Sequence, residues 1–182
     1  MATYNTYVSI PHSSYSEWKA NTLGNQYDVD GSPVEQPYQC WDFAAEFWNN
    51  VGFVQGMPST AGTHAAYGIW DAKETNAGDK FDLIEDKNQI KQGDVIVYNY
   101  FTGNPYGHVG FADEDYNGND NLPILSQNND ATHVTVHGYN LAYFRGAFRL
   151  KAWHPAPGPG AHRRGKFKWV LYANKLRKKY QR

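Results

Sequence analysis

One cysteine and seven histidines bound the nucleophilic chemistry open to this 182-residue chain. The cysteine lies in Gln39-Cys40-Trp41-Asp42-Phe43-Ala44-Ala45-Glu46-Phe47-Trp48, at the start of a stretch that reads as a helix. The reactive form of cysteine is the thiolate, and an unperturbed thiol, with a pKa of roughly 8.5, is mostly protonated at neutral pH. The partial positive charge of a helix N-terminus, together with a nearby imidazolium, lowers that value. A lone cysteine is more often a small buried hydrophobe, so the nucleophile reading needs a histidine beside it. His108 is the candidate. Gly107 lets the chain turn tightly before it, and a strand starting there puts His108 and Gly110 on one face and Val109 and Phe111 on the other. The small Gly110 leaves room beside the imidazole for a substrate or a facing helix. Taken alone, His108 reads better as a structural histidine at a strand end.

Two further clusters invite a metal. Asp28-Val29-Asp30-Gly31 alternates carboxylates before a glycine turn, which suits calcium, a hard cation. It is no EF-hand, because the twelfth position from Asp28 is Gln39 rather than the glutamate that loop requires. His133-Val134-Thr135-Val136-His137 places two histidines on one strand face, a zinc-compatible spacing without a third ligand. A solvated strand face explains it better.

The elements that must position these residues follow from pattern. Ser14-Tyr15-Ser16-Glu17 has capping-box spacing and opens a helix running towards Gly24. From Cys40, apolar residues recur at Phe43, Ala44, Phe47 and Val51, the spacing of one helical face. Asp42, Glu46, Asn49 and Asn50 fall on the other side, and Gly52 suits a C-terminal cap. Residues 52–88 are rich in Gly, Thr, Ser, Asn and Asp and read as loop, with a helical piece around 65–72. Strands are expected at 93–98, 108–111, 124–128, 133–137 and 142–153. Helices followed by closely spaced strands predict an α+β domain with an antiparallel sheet.

Charge divides the chain. Eight basic and eighteen acidic side chains precede residue 161, whereas nine basic and no acidic ones follow it. Residues 1–154 read as one domain, 155–161 as a Pro/Gly linker and 162–182 as a basic tail. In the tail, Trp169, Tyr172, Ala173, Leu176 and Tyr180 line one helical side. Such a helix suits an anionic membrane or wall polymer, or docks on its own acidic domain. No recognition motif supports nucleic-acid binding. The N-terminus lacks the basic flank and apolar stretch of a signal peptide, and no apolar run approaches a membrane span.

Gln39-Cys40-Trp41-Asp42, Gly93-Asp94-Val95-Ile96-Val97, Gly107-His108-Val109-Gly110-Phe111 and Leu125-Ser126-Gln127-Asn128 occur in one order. Together they resemble the CHAP family, the cysteine, histidine-dependent amidohydrolases/peptidases of papain-like fold, over roughly residues 10–153. The resemblance implies a peptidoglycan hydrolase of phage origin, an endolysin or virion-associated enzyme, that acts as N-acetylmuramoyl-L-alanine amidase or endopeptidase. Cys40 is then the nucleophile and His108 its general base. The Cys40 N–H, helped by Gln39, stabilises the oxyanion. Many family members carry a glutamate where this chain has Ser126. Asn128 matches a position the family also uses and is taken as the group that orients His108, with Ser126 a lesser contributor. The resemblance also implies that Asp28, Asp30 and Asp42 bind calcium together; the alternative is an Asx turn, with Asp42 capping the helix. Trp41, Trp70 and Tyr106 are candidates to line a groove between the Cys40 helix and the His108 strand.

The expected partner is Gram-positive peptidoglycan, met by a monomer released from the host cytoplasm to the wall. Two rivals remain. One is a non-catalytic wall-binding module of the same fold, mildly favoured by the serine at 126. The other is a cysteine amidohydrolase acting on a substrate outside the wall.

Overall fold

The computed structural model describes residues 13–31, 38–50, 57–129 and 132–154. The linker, the basic tail, Val51 and Gly52 lie outside the described residues.

Among the described residues, four helices precede or flank a single sheet: α1 (Tyr15–Thr22), α2 (Cys40–Asn50), α3 (Gly68–Asp71) and α4 (Lys73–Ala77). Six strands follow: β1 (Phe81–Ile84), β2 (Val95–Tyr98), β3 (His108–Ala112), β4 (Asn121–Ser126), β5 (Thr135–Asn140) and β6 (Phe144–Leu150). All paired strands are antiparallel, in the order β1-β6-β2-β3-β4-β5. The α+β class expected from the sequence is the class observed.

Sheet alternation builds two cores. Val95, Val97, Val109, Phe111, Leu125 and Phe148 face α1 and α2. Ile96, Tyr98, Ala112, Leu122, Ile124 and Ala147 form the core of the opposite face. α1 begins on a side-chain cap, with the Ser14 hydroxyl accepting from the Glu17 N–H. The Glu17 carboxylate reaches back to Ser13 rather than to Ser14, accepting from its N–H and hydroxyl. Trp18 stacks on Phe43 of α2 at 5.7 Å between ring centroids.

α2 is buried on more sides than its 3.6-residue pattern suggests. Ala45 and Trp48 are as inaccessible as Phe43 and Phe47, because Trp48 stacks on Phe81 of β1 and donates its indole N–H to the Asn76 carbonyl. Full burial of Phe43 or Phe47 stabilises the fold by about 1.5–3 kcal/mol each. Asp42, expected on the polar side of α2, is 2 % exposed, for reasons given below.

Several boundaries differ from expectation. β1 lies inside the stretch read as loop; four residues set among charges carry little periodicity, and Phe81–Ile84 becomes a strand by pairing with β6 some sixty residues later. The strand expected over 133–137 is displaced to Thr135–Asn140, in register with β4. The strand expected over 124–128 starts earlier and stops at Ser126. Asn128 follows it in left-handed backbone, φ 60°. The strand expected from 142 is a 3-10 turn at Leu141–Tyr143 before β6. Among the described residues no helix is long and apolar enough to cross a membrane.

Candidate active site

Cys40 begins α2, and Asp42 organises the helix start. As the third helical residue, its carboxylate reaches back to the N–H of Gln39 at 2.7 Å, while Asp42 N–H donates to the Gln39 carbonyl. The carboxylate-to-N-cap bond is one half of a capping box, with aspartate in place of glutamate. The other oxygen accepts from the N–H of Val29 at 2.9 Å, tying in the preceding loop. Gln127, wholly buried, completes the clamp. Its amide accepts from Tyr27 N–H and donates to the carbonyls of Tyr27 and Gln39 at 2.8 and 3.0 Å. Sequence reasoning treated Gln127 only as part of a motif; its role depends on a contact across 88 residues that no local pattern encodes.

His108 arrives from the sheet. Gly107 has φ 68°, and a Cβ there would lie 2.4 Å from the Tyr98 carbonyl, so only glycine fits the approach to His108. The β3–β4 ladder holds only at Phe111↔Leu125 and Ala112↔Ile124. Ala112 N–H bonds across to Asp94 on the β2 side, so by alternation Val109 N–H points towards β4. There the strands have parted, and the Cys40 thiol fills the gap, accepting from Val109 N–H. The Cys40 thiol is thus tied to the residue that follows His108.

His108 is 3 % exposed. Its Nε2 lies 2.9 Å from the Ser126 hydroxyl, and its ring stacks on Tyr139 at 4.8 Å with an 11° interplanar angle. Gly110 leaves space beneath the imidazole, as its residue type suggested, but Ser126 fills that space. A Cβ at 110 would lie 2.8 Å from the Ser126 Cβ. Asn128, expected to orient His108, is exposed; among the described residues Ser126 supplies the hydrogen bond to His108. A one-residue alternation decides this: Ser126 is the last residue of β4 to face the imidazole, and the chain then turns away at Asn128.

Burial pushes the Cys40 thiol up to about 11, outweighing the N–H groups of Val109 and Trp41 that favour the thiolate. Burial, helped by His137, pulls His108 down to about 3. The helix N-terminus therefore does not by itself make a resting thiolate. Both shifts favour the neutral forms, thiol and imidazole.

In front of Cys40 lies a cavity of about 560 Å³, lined among others by Gln39, Trp41, Met57, His64 and Tyr106. Its far wall is the 57–66 loop rather than β3. Ala61 and His64 in that loop hold positive φ of 53° and 52°, conformations that side-chain-bearing residues adopt at some cost. Trp41 and Tyr106 line the cavity as expected. Trp70 does not; it is buried against Phe148 at 5.3 Å and over Gly146.

Asp28, Asp30 and Asp42 come together, with a carboxylate oxygen of each within 4.8 Å of the others. Burial, with Asp30 adding repulsion, raises Asp42 to about 6. Each oxygen that accepts an N–H retains a further lone pair, so the set fits a hard, oxygen-seeking cation. His133 is exposed and His137 faces the sheet interior beside Ser126, so the two histidines do not form a zinc pair.

Comparison with known proteins agrees with this geometry. The CHAP domain model matches residues 29–128, which span Asp30, Cys40, His108 and Ser126. The chain is 32% identical over 152 residues to a D-alanyl-L-alanine endopeptidase of Streptococcus phage B30, covering 79% of this chain and 32% of that protein. It thus spans about a third of the length of the curated relative it matches. In fold it is similar to the crystal structure of a wild type endolysin, LysIME-EF1, with TM-score 0.54 and 20% identity over 75% of this chain and 62% of that one. With the family model covering more than half of its residues, including the cysteine and the histidine, the chain belongs to the CHAP domain family.

Proposed function

We propose that this chain is a peptidoglycan hydrolase that cleaves an amide bond in the peptide portion of the bacterial wall, with Cys40 as nucleophile and His108 as general base. The observation that carries the reading is the placement of Cys40 in the cavity wall with its thiol against the N–H of Val109, the residue that follows His108, whose Nε2 is held by Ser126. With Nε2 so engaged, Nδ1 is the nitrogen left to serve the thiol. Sγ attacks the carbonyl carbon as its proton passes to Nδ1. The oxyanion is met by the N–H groups at the start of α2, with the Gln39 side chain beside them. His108 then protonates the departing amine, leaving a thioester. Water, deprotonated by the same nitrogen, releases the carboxylate product and restores the thiol. The phage relative's name favours an endopeptidase over an N-acetylmuramoyl-L-alanine amidase.

The same reading includes a calcium ion held by Asp28, Asp30 and Asp42, which would neutralise their mutual repulsion and stiffen the loop before Cys40. It also includes a Gram-positive wall as target, a monomer as the acting species, delivery from the host cytoplasm, and a basic tail that meets anionic wall polymer or membrane.

Mass spectrometry of purified Gram-positive peptidoglycan, incubated with the protein and with its Cys40→Ala variant, tests the proposal. Cysteine-dependent fragments are expected, and their masses assign the bond. Fragments from Cys40→Ala would remove the nucleophile; none from the folded wild type on several wall types would favour a binding module.

A further inference from the structure

His137 takes no part in these steps, yet it shares a sheet face with the base. Its register partner is Ile124, which makes it the diagonal neighbour of Ser126. The Ser126 hydroxyl stands 2.9 Å from His108 Nε2 and 3.3 Å from His137 Nε2. Ser126 is fully buried, and the two imidazole centroids are 6.2 Å apart. Among the described residues, titratable groups facing His137 include His108 from β3 and Tyr139 from its own strand, with Tyr98 of β2 packed behind Tyr139 at 4.3 Å.

A hydroxyl has one proton and two lone pairs, so it donates to at most one of these nitrogens. If both Nε2 atoms donated to it, the buried Ser126 proton would be left without an acceptor, so the fully paired arrangement has the two Nε2 atoms oppositely protonated. To take a proton on Nδ1, neutral His108 must already carry its hydrogen on Nε2. The Ser126 hydroxyl then donates to His137, whose Nε2 must present a lone pair. If His137 carries a hydrogen on Nε2, the hydroxyl turns to His108, and the tautomer of His108 becomes the one that cannot accept from the thiol.

Resting on the hydrolase reading above, we propose that His137 is a positioning residue that acts through the Ser126 hydroxyl to hold His108 in its proton-accepting tautomer. The chain Cys40–His108–Ser126–His137 does with a hydroxyl and a second imidazole what a carboxylate does in a cysteine–histidine–carboxylate site. As His108 becomes an imidazolium, its Nε2–H bond to Ser126 strengthens, and so does the Ser126 bond to His137.

The test combines kinetics with a direct reading of the tautomer. Amine release from purified peptidoglycan is followed across the acid and neutral range for wild type, Ser126→Ala, His137→Ala, His137→Gln and the Ser126→Ala/His137→Ala pair. His137→Ala is expected to lower kcat by about tenfold to a hundredfold with KM little changed. The double variant should be no slower than Ser126→Ala, because the two residues act in series. Glutamine accepts from the hydroxyl but does not protonate, so His137→Gln should retain more activity than His137→Ala and flatten the acid limb of the profile. An unchanged kcat and profile in His137→Ala, or a double variant whose loss is the product of the single losses, would overturn the proposal. Long-range 1H–15N spectra of the imidazoles give a readout independent of turnover. His108 should be the Nε2–H tautomer in wild type, keep it largely in His137→Gln and become a mixture in His137→Ala, and the same tautomer in wild type and His137→Ala would overturn the proposal even if the wall is not the substrate. Failure of the hydrolase reading itself would show separately, as a folded but inactive wild type or an active Cys40→Ala.

Discussion

Cys40 is held from two sides by opposite kinds of chemistry. On the loop side, three carboxylates crowd the start of α2, and Asp42 binds the N–H groups of Val29 and Gln39. On the sheet side, His108, Ser126, His137 and Tyr139 form a mostly buried, polar array in which the Ser126 hydroxyl links the two imidazoles. Charge sets the helix start, and charge responds to cations and pH. Geometry sets the base, and geometry responds to packing at the scale of a methyl group. Cys40 sits where the two meet, partly buried against the core, and burial there pushes its thiol up to about 11.

The sheet side should break most sharply. Gly110→Ala puts a Cβ 2.8 Å from that of Ser126, which must shift and loosen its bond to His108. Overpacking of this kind costs roughly 1–3 kcal/mol of stability, and kcat should fall at least about tenfold as the base loses its orientation. Melting temperature and turnover measured together check this; a near wild-type rate would show that Ser126 does not orient the base.

The loop side should respond to calcium. With the folded pKa of Asp42 raised to about 6 and the unfolded value near 3.9, the folded state binds more protons between those values. Stability contributed by this residue therefore falls as pH rises from about 4 to about 6. Calcium, which needs the ionised carboxylates, should offset that loss, stabilising by about 2.7 kcal/mol at a hundred times its dissociation constant. Thermal unfolding with chelator and with calcium should show a larger shift at neutral pH than near pH 5. No shift at any concentration would leave Asp42 as a helix cap alone.

Asn128 should matter least. Replacing it with alanine should slow turnover only a few-fold, far less than loss of His108, and destabilise by about 1 kcal/mol through the left-handed backbone at φ 60°. Equal losses from Asn128→Ala and His108→Ala would mean that the chain folds back to the imidazole when substrate binds.

Much of this was legible in the residues themselves. The helix bearing Cys40, the turn at Gly107, the alternation of His108 with Val109 and the grouping of helices before strands are local patterns, and each survives in the fold. The convergence of Asp28, Asp30 and Asp42 followed from resemblance rather than from spacing. What local pattern misread was non-local. β1 has too few residues to signal itself, and Trp48 reads as outside the apolar face until Phe81 covers it. Gln127 looks like filler until it meets Tyr27 and Gln39.

The third member of the site shows the division most clearly. Residue types allowed Asn128 or Ser126, and an amide is the more familiar partner for an imidazole. The choice rested on where β4 ends and how β5 registers against it. A slip of one residue would turn Ser126 and His137 to the opposite face of the sheet. The sequence alone determined the chemistry available, a single thiol, a glycine-framed histidine and a cluster of carboxylates, because residue type and local spacing are written in the chain. The tertiary structure decided which groups touch, because cross-strand register depends on the whole sheet packing at once.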